Sequence, residues 1–544
     1  MPLPKADIAP ASGKPASGKT DIAPSNVRPI LPAIAESPLA MSGGGRIGII
    51  DIGSNSIRLV VYDGLTRSPT PIYNEKVLCG LGRDIARSGR LHPEGVAMAL
   101  TNLARFTSLV QGMEVVAVDV LATAAVREAV DGASFVAEIA RRCALKVTVI
   151  TGEEEARLSG MGVLGGNPGA EGVMGDLGGG SLELVGLHDR VIHEQTTLPL
   201  GALRLIGGKG WRKSADETIS ALLSRETWIE AYRGQSFFPV GGNWRSLAKL
   251  DMARRGHPIH IIHQYSIDGA EITDLVRLIA QQGKSSMASL EAVSRRRVET
   301  LPAAAMVMLG ILTRLQPKRV VFSALGLREG HLFDLLPPDK RDHDPLIAGC
   351  EALAKRIDRF GDGDVLCNWT QPLFEDDVGR TLDRLRRAAC LLSDLCWTEH
   401  PDYRAEHAFL RALRLPITGM DHEERAFLAL SLYVRYGGKP GDSVVGPTVG
   451  ILQPDRRHKA TMLGQALRLA HTVSGGVMAL VAQTCLQVTP EIVVLWLPDG
   501  GGALGGDAVQ RRLQSLASTL SVVGRIAVSD TDPATPPDAV HDQG

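Results

Sequence analysis

Two short segments of the chain pair an aspartate with residues too small to block the backbone. They read DIGSNS, residues 51–56, and DLGGGS, residues 176–181. A turn of glycine and serine exposes backbone N–H groups that form a concavity for anions, and the serine hydroxyls add donors. Phosphate oxygens match such a lining, so each segment is a candidate phosphate-binding turn.

The aspartates Asp51 and Asp176 add a second chemical feature to these turns. A carboxylate repels phosphate unless a divalent cation lies between them, and Mg²⁺ binds through one or two carboxylates with water and phosphate oxygens. We therefore predict both aspartates as Mg²⁺ ligands. The predicted phosphate-binding residues are the small ones of the two turns: Gly53, Ser54, Asn55, Ser56, Gly178, Gly179, Gly180 and Ser181.

The elements around the two turns repeat as well. The segment DIGSNSIRLV aligns without a gap with DLGGGSLELV, and apolar residues precede each aspartate. Each unit predicts a strand, a tight turn and a second strand, and the repetition predicts two similar lobes. Strand-like and helix-like segments alternate between them, which is typical of an α/β fold. Regular alternation in the second hairpin would place Glu183 on the same face as Ser181.

A helix predicted from residue 152 carries three acids in its first turn, Glu153, Glu154 and Glu155. Acids at this position complement the partial positive charge of the helix N-terminus. One of them could instead face a phosphate group and accept a proton from water. The residues alone do not select which acid that would be.

The composition bounds the rest of the molecule. A chain of 544 residues is too long for a single core, which predicts several domains. The formal net charge is −1, so neither nucleic acid nor a membrane is expected as a partner. The seven cysteines form no CxxC pair and no signal peptide is recognisable, which favours a cytoplasmic location. Residues 1–44 are rich in proline, alanine, serine and glycine, which predicts a disordered tail.

Seven motifs follow one another along the chain: DIGSNS, ATAAVREA, TGEEEARL, DLGGGSLEL, LPLGALRL, VGGNWRSLAKLD and FSALGLREG. In this order they resemble the exopolyphosphatase / guanosine pentaphosphate phosphohydrolase (Ppx/GppA) family. The resemblance implies two ribonuclease-H-like α/β lobes of the actin, Hsp70 and sugar-kinase superfamily, at 45–170 and 171–337. A mostly α-helical HD-like domain at 345–450 and a small α+β domain at 451–530 would follow.

The resemblance also implies roles for single residues. Glu155 holds the place of the family's catalytic base, and Arg127 that of an arginine that binds phosphate and counters its developing charge. Glu183 matches a second carboxylate that serves the metal or the water. The implied reaction is Mg²⁺-dependent hydrolysis of inorganic polyphosphate, with K⁺ as a further candidate cofactor and a homodimer as the expected assembly.

A long anionic substrate also needs a cationic track beyond the two turns. Arg204 and Lys209 are the first candidates for substrate binding. The further basic residues considered for this track are Arg212, Lys213, Arg245, Arg254, Arg255, Lys284, Arg295, Arg296 and Arg297.

Two departures from the family pattern bear on function. Ala324 and Leu325 replace an acid and a glycine in SALGLREG, near the nucleoside site of related ATPases, which favours polyphosphate over nucleotide substrates. Ser393 precedes Asp394 where an HD motif would have histidine, so the helical domain is expected to be catalytically silent. The histidines of HPIHIIH, residues 257–263, lack the spacing of a known metal site.

Three other functions stay open at this point. The chain could hydrolyse guanosine pentaphosphate with the same base and turns, which would make guanosine tetra- and pentaphosphate its ligands. It could bind polyphosphate or such an alarmone without turnover. It could also be a kinase or a chaperone-like ATPase of the same superfamily, although the altered SALGLREG motif speaks against tight nucleotide binding.

Overall fold

The computed structural model describes residues 44–207, 210–283, 297–359, 363–375, 377 and 382–528. The predicted tail therefore lies outside the described residues except for Gly44. The strands within the described ranges are β1 (Ile47–Ile52), β2 (Ile57–Tyr62), β3 (Pro71–Val77), β4 (Ala117–Ala122), β5 (Val147–Val149), β6 (Gly172–Leu177), β7 (Leu182–His188), β8 (Val191–Leu198), β9 (Ser236–Val240), β10 (Tyr265–Asp268), β11 (Arg319–Phe322), β12 (Cys485–Val488), β13 (Ile492–Leu497) and β14 (Val523–Val528).

Helices cover both large sheets and fill the C-terminal half. They are α1 (Ile85–Ser88), α2 (Pro93–Gly112), α3 (Ala124–Glu128), α4 (Gly132–Cys143), α5 (Gly152–Gly166), α6 (Ala202–Leu205), α7 (Trp211–Leu223), α8 (Gly242–Arg255), α9 (Gly269–Gln281), α10 (Leu301–Leu315), α11 (Leu327–Leu335), α12 (Pro338–Arg341), α13 (Pro345–Ile357), α14 (Gly363–Thr370), α15 (Asp383–Leu391), α16 (Arg404–Leu413), α17 (His422–Arg435), α18 (Gly446–Val449), α19 (Pro454–Ser474), α20 (Met478–Val481) and α21 (Asp507–Leu520). Short 3₁₀ helices span Thr227–Tyr232, Gln371–Phe374 and Gly501–Gly505.

The first sheet has the strand order β3-β2-β1-β4-β5. Strands β1, β2 and β3 are antiparallel, whereas β4 and β5 run parallel to β1. The segment IGIIDI of β1 is an almost continuous apolar run because both of its faces are covered. Ile50 and Ile52 pack into a core with α2 and α4, and Ile47 and Ile49 pack with Leu332 of α11.

The second sheet repeats this arrangement. Its order is β10-β11-β9-β6-β7-β8. Each strand of the first sheet has a counterpart here: β8 corresponds to β3, β7 to β2, β6 to β1, β9 to β4 and β11 to β5. Strand β10 is an added antiparallel edge. The duplication of the strand-turn-strand unit in the sequence is therefore a duplication of a whole lobe.

Two equivalent helices, α5 and α11, cross between the lobes with their backbones in close contact. A β-carbon added at Gly330 would lie 1.7 Å from the carbonyl oxygen of Leu158, and one added at Gly162 would lie 2.3 Å from that of Gly326. Only glycine fits at such a crossing. The crossing brings the N-terminus of each helix to the turns at the ends of β1 and β6.

The helices after residue 345 and the small sheet β12-β13-β14 share one apolar core. Phe427 of α17, Leu467 of α19, Leu495 of β13 and Leu513 of α21 all belong to it, and Ile259 of the second lobe joins it. The domain boundary predicted at residue 450 falls within this shared core, and the predicted boundaries stay predictions. In the described ranges, no helix has both the length and the apolar character needed to cross a bilayer.

Candidate active site

The two predicted phosphate-binding turns have the same backbone geometry. Gly53 donates its N–H to the carbonyl oxygen of Ser56 over 3.0 Å, and Gly178 donates to that of Ser181 over 3.0 Å. A β-carbon added at either glycine would lie 3.5 Å from the same serine oxygen. The sequence repeat is thus also a repeat of backbone conformation.

The two turns face each other between the lobes. A β-carbon added at Gly180 would lie 3.2 Å from Oγ of Ser54, and one added at Gly179 would lie 3.4 Å from Cβ of Ser54. Among the described residues, none accepts a hydrogen bond from the backbone N–H groups of Ser54, Asn55, Gly179 and Gly180. The turns therefore present free donors from two sides, as an anion-binding site requires.

Neighbouring segments hold these turns from behind. Gly82 donates its N–H to the carbonyl of Ser54 over 2.7 Å, and Leu203 donates to the carbonyl of Gly179 over 3.0 Å. A β-carbon at Gly201 would lie 2.4 Å from that same Gly179 oxygen, so the glycine of LPLGALRL is required by close packing. The carbonyl oxygens point away because they are bonded, which leaves the N–H groups for a ligand.

Glu155 lies in the first turn of α5 with 13% of its side chain exposed. Nη1 of Arg127 donates to Oε2 of Glu155 over 3.1 Å and to the carbonyl of Ile150 over 2.9 Å. Burial raises the pKa of Glu155 to about 7, although the adjacent Arg127 opposes the rise. A carboxyl group with a pKa near neutrality is suited to general-base catalysis.

The other two acids of this helix turn have different surroundings. Glu153 is exposed to solvent. Glu154 accepts two hydrogen bonds of 2.8 Å from Arg157, whose guanidinium also binds Asp334. The tertiary structure therefore separates Glu155 from its neighbours, which the sequence pattern alone could not do.

Acidic side chains line the second lobe next to its turn. Asp176 and Glu183 lie directly opposite each other on β6 and β7. Oδ2 of Asp176 accepts a hydrogen bond of 2.8 Å from Ser159 of α5. Glu183 is 1% exposed; burial and the charges of Glu155 and Asp176 raise its pKa well above the usual value. Burial likewise raises the pKa of Asp176.

The corresponding row of the first lobe is cationic. Asp51 pairs with Arg58 across β1 and β2, and Arg58 pairs with Lys76 across β2 and β3. Nη1 of Arg328 at the start of α11 lies 2.8 Å from Oδ2 of Asp51. The predicted metal ligand Asp51 is therefore already bound by a guanidinium in this structure.

We term five basic residues the cation cluster, because the charges of its members act on the pKa of Arg58, Lys76 and Arg245. The cluster consists of Arg58, Lys76, Arg245, Arg297 and Arg328. Burial and the charges of Arg297, Arg245 and Arg58 lower the pKa of Lys76 to about 8. Arg58, Lys76 and Arg328 were not among the residues predicted from the sequence. Arg58 follows Ser56 by two positions, so the alternation that placed Glu183 beside Ser181 would also have found it.

Several other residues predicted for the cationic track form ion pairs or hydrogen bonds with groups of the protein itself. Arg204 pairs with Glu128, Lys213 pairs with Glu217, and both Arg254 and Arg255 pair with Asp251. Arg212 donates to the carbonyls of Ala280 and Gln282. Of the predicted track, Arg245 and Arg297 reach the cation cluster. Lys209, Lys284, Arg295 and Arg296 lie outside the described residues.

The carboxylates Asp51, Asp176 and Glu183 supply the hard oxygen donors that Mg²⁺ prefers. Oε1 of Glu183 is buried and has no hydrogen-bond partner among the described residues, as a group that awaits a ligand would. Within the described part of the chain, the side chains that bring three metal-ligand atoms within 4.8 Å of one another lie elsewhere. They are Glu171, His188 and Asp189. Any Mg²⁺ in the cleft would thus rely on water and phosphate for its remaining ligands.

In the helical region, Asp394 is bound by arginines. Nη2 of Arg359 lies 2.7 Å from its Oδ1, and Nη2 of Arg435 lies 3.6 Å away. Oγ of Ser393 lies 3.1 Å from Nε2 of His471. The guanidinium groups of Arg359 and Arg435 thus form ion pairs with the carboxylate of Asp394.

Among the histidines of HPIHIIH, His257 bonds to a more distant histidine. Its Nε2 lies 2.7 Å from Nδ1 of His422 on α17, and Nε2 of His422 lies 2.9 Å from the carbonyl oxygen of Ile261. These contacts connect the second lobe to the helical region.

Comparisons with known proteins agree with the motif order. The profile described as the Ppx/GppA phosphatase family matches residues 60–339, and one described as exopolyphosphatase, C-terminal, matches residues 367–525. Exopolyphosphatase 2 of Mycobacterium tuberculosis is 27% identical over 311 residues, which cover 53% of this chain and 96% of the relative. Retrograde regulation protein 2 of Saccharomyces cerevisiae is 26% identical over 451 residues, covering 73% of each chain.

A solved structure supports the fold. The exopolyphosphatase from Cytophaga hutchinsonii matches with a TM-score of 0.50 and 23% identity, over 53% of this chain and 97% of that one. The predicted fold class is confirmed: two α/β lobes with equivalent sheets, followed by a helical region and a small sheet.

Proposed function

The chain belongs to the Ppx/GppA phosphatase family, and on that premise we propose that it is an exopolyphosphatase. It would hydrolyse the terminal phosphoanhydride bond of inorganic polyphosphate and release orthophosphate. The observation that carries the proposal is the position of Glu155. This carboxyl group lies in the first turn of α5, pairs with Arg127 and has a pKa of about 7.

In the proposed reaction, residues of this chain bind the terminal phosphates and activate the attacking water. The free N–H groups of the two turns hold the terminal phosphates, and Arg127 counters the charge that develops during transfer. Glu155 takes a proton from water as the water oxygen bonds to the terminal phosphorus. The bond from that phosphorus to the bridging oxygen breaks, and the shortened polyphosphate leaves with the electron pair.

We propose Asp51, Asp176 and Glu183 as the residues that would hold Mg²⁺, with K⁺ as a possible second ion. A bound Mg²⁺ neutralises phosphate charge. These three carboxylate groups supply the hard oxygen donors that fit such an ion. The Arg328 contact implies that Asp51 must exchange a guanidinium for the ion if it is a direct ligand.

The cation cluster would bind the rest of the anionic chain. Three of its residues, Arg58, Lys76 and Arg328, lie close enough to Asp51 to feel its charge. We place the penultimate phosphates of a bound polyphosphate beside them. Burial and the neighbouring positive charges lower the pKa of Lys76, and a bound polyanion would add negative charge to that of Asp51 and Glu329.

The test is orthophosphate release from long-chain polyphosphate with Mg²⁺, measured for the wild type, Glu155→Gln and Glu153→Gln. Glutamine keeps the shape of glutamate but accepts no proton, so Glu155→Gln should lower kcat by about 100- to 10,000-fold. The exposed Glu153 is the matched control, and its variant should keep the wild-type rate. Equal rates for wild type and Glu155→Gln would remove Glu155 from the mechanism.

Two other candidate functions have specific support. The relative from Saccharomyces cerevisiae is named as a regulation protein, which keeps open binding of polyphosphate or an alarmone without turnover. Hydrolysis of guanosine pentaphosphate would use the same site, and comparing kcat/KM for the two substrates decides between them. The homodimer and the cytoplasmic location stay predictions.

A further inference from the structure

Several buried polar atoms of the second lobe have no hydrogen-bond partner among the described residues, and two of them lie on neighbouring strands: Oε1 of Glu183 and Oγ1 of Thr197. Glu183 and Thr197 are direct partners on the neighbouring strands β7 and β8. Partners of this kind have side chains on one face of the sheet with β-carbons about 5 Å apart. The two atoms therefore face the space on one side of the second sheet.

The candidate base borders this space as well. A β-carbon added at Gly152 would lie 2.7 Å from Oγ1 of Thr197, so the hydroxyl lies against the first residue of α5. Glu155 follows Gly152 by three positions and shares its side of the helix. The charge of Glu155 is also the main neighbouring charge felt by Glu183.

We propose that Thr197, Glu183 and Glu155 together hold the attacking water, which makes Thr197 a further catalytic residue. This inference rests on the proposed hydrolase function. Buried polar groups without protein partners are commonly satisfied by a shared water that makes about three hydrogen bonds. Among the described residues neither Oε1 of Glu183 nor Oγ1 of Thr197 has a hydrogen-bond partner, so one water can bond to both atoms.

The three groups supply the hydrogen-bond donor and acceptors that a nucleophilic water needs. The water donates one O–H to Glu155 and the other to Oε1 of Glu183, and it accepts a hydrogen bond from the hydroxyl of Thr197. Its remaining lone pair is free to bond to phosphorus. As the P–O bond forms, the proton passes to Glu155 and the bond to the bridging oxygen breaks, with the electron pair leaving on the polyphosphate.

The experiment compares Thr197→Val, Thr197→Ser and Thr196→Val with the wild type in orthophosphate release from long-chain polyphosphate. Valine keeps the shape of threonine without the hydroxyl, so Thr197→Val should lower kcat about tenfold or more while KM changes less than threefold. Thr197→Ser should restore most of the rate. Thr196 pairs with Leu184 on the opposite face, so its variant is the matched control.

Several results would overturn the inference. One is a Thr197→Val enzyme as active as Thr196→Val. Another is a tenfold rise in the Mg²⁺ concentration for half-maximal activity, which would make Thr197 a metal ligand instead. If Thr197→Val melts well below the wild type, the smaller Thr197→Ala replaces it under the same criteria. A wild type without activity would reject the proposed function itself, which separates the two failures.

Discussion

The two strand-turn-strand units share one backbone conformation, but the side chains beside their turns differ in charge. Both close with the same 3.0 Å hydrogen bond and begin with an aspartate. In the first unit Arg58 lies opposite the aspartate, and Lys76 follows on the next strand. In the second unit these places belong to Glu183 and Thr197. Duplication preserved the shape of the phosphate-binding turn while the side chains beside it diverged.

This divergence gives the cleft a cationic wall and an acidic wall. The helix at each wall adds to this difference in charge. Helix α11 brings Arg328 to Asp51. Helix α5 brings Ser159 to Asp176 and carries Glu155. An anionic substrate needs attraction along its length and a base at one end. Helix α11 packs on the first sheet and α5 on the second. We infer that the wall on the first sheet mainly binds and the wall on the second sheet mainly performs chemistry.

The largest expected effect is on the acidic wall. Glu183→Gln should lower kcat by about 100-fold or more and leave KM within threefold, because it removes a group that holds the water or the metal but not the chain. Steady-state orthophosphate release from polyphosphate measures both constants. The exposed Glu114→Gln serves as control, and an unchanged kcat in Glu183→Gln would contradict the assignment of chemistry to this wall.

A smaller and different effect is expected on the cationic wall. Arg58→Gln removes one charge-assisted contact and should raise KM about tenfold with kcat nearly preserved. The same assay applies, with Arg90→Gln on the surface as its control. A fall in kcat without a rise in KM would place Arg58 with the catalytic groups. It would contradict the assignment of binding to the cationic wall and chemistry to the acidic wall.

The smallest effect concerns pH. Glu155 must be ionised to accept a proton, so kcat/KM should rise with pH through about 7. Lys76 must be protonated to attract phosphate, so kcat/KM should decline by about twofold or more as pH rises through about 8. Lys76→Gln should lose the alkaline decline and keep the acidic limb. A profile from pH 5 to 9 whose alkaline decline persists in this variant would exclude Lys76 as its origin.

The sequence by itself determined the repeat, and with it the fold. Glycine and serine after an apolar strand predict the same turn wherever they occur, because backbone sterics and strand pairing act locally. The motif order then predicted the family and the resemblance supplied Glu155. The shared backbone conformation of the two turns follows from these local rules applied twice, as their matching hydrogen bonds at Gly53 and Gly178 show.

Only the tertiary structure decided which charged groups meet in the cleft. Arg328 reaches Asp51 from 277 positions away, and Lys76 joins the cation cluster through strand pairing. Glu155 differs from Glu153 and Glu154 because burial and Arg127 act on it alone. Charge interactions and desolvation depend on distances through space, which a linear pattern does not encode.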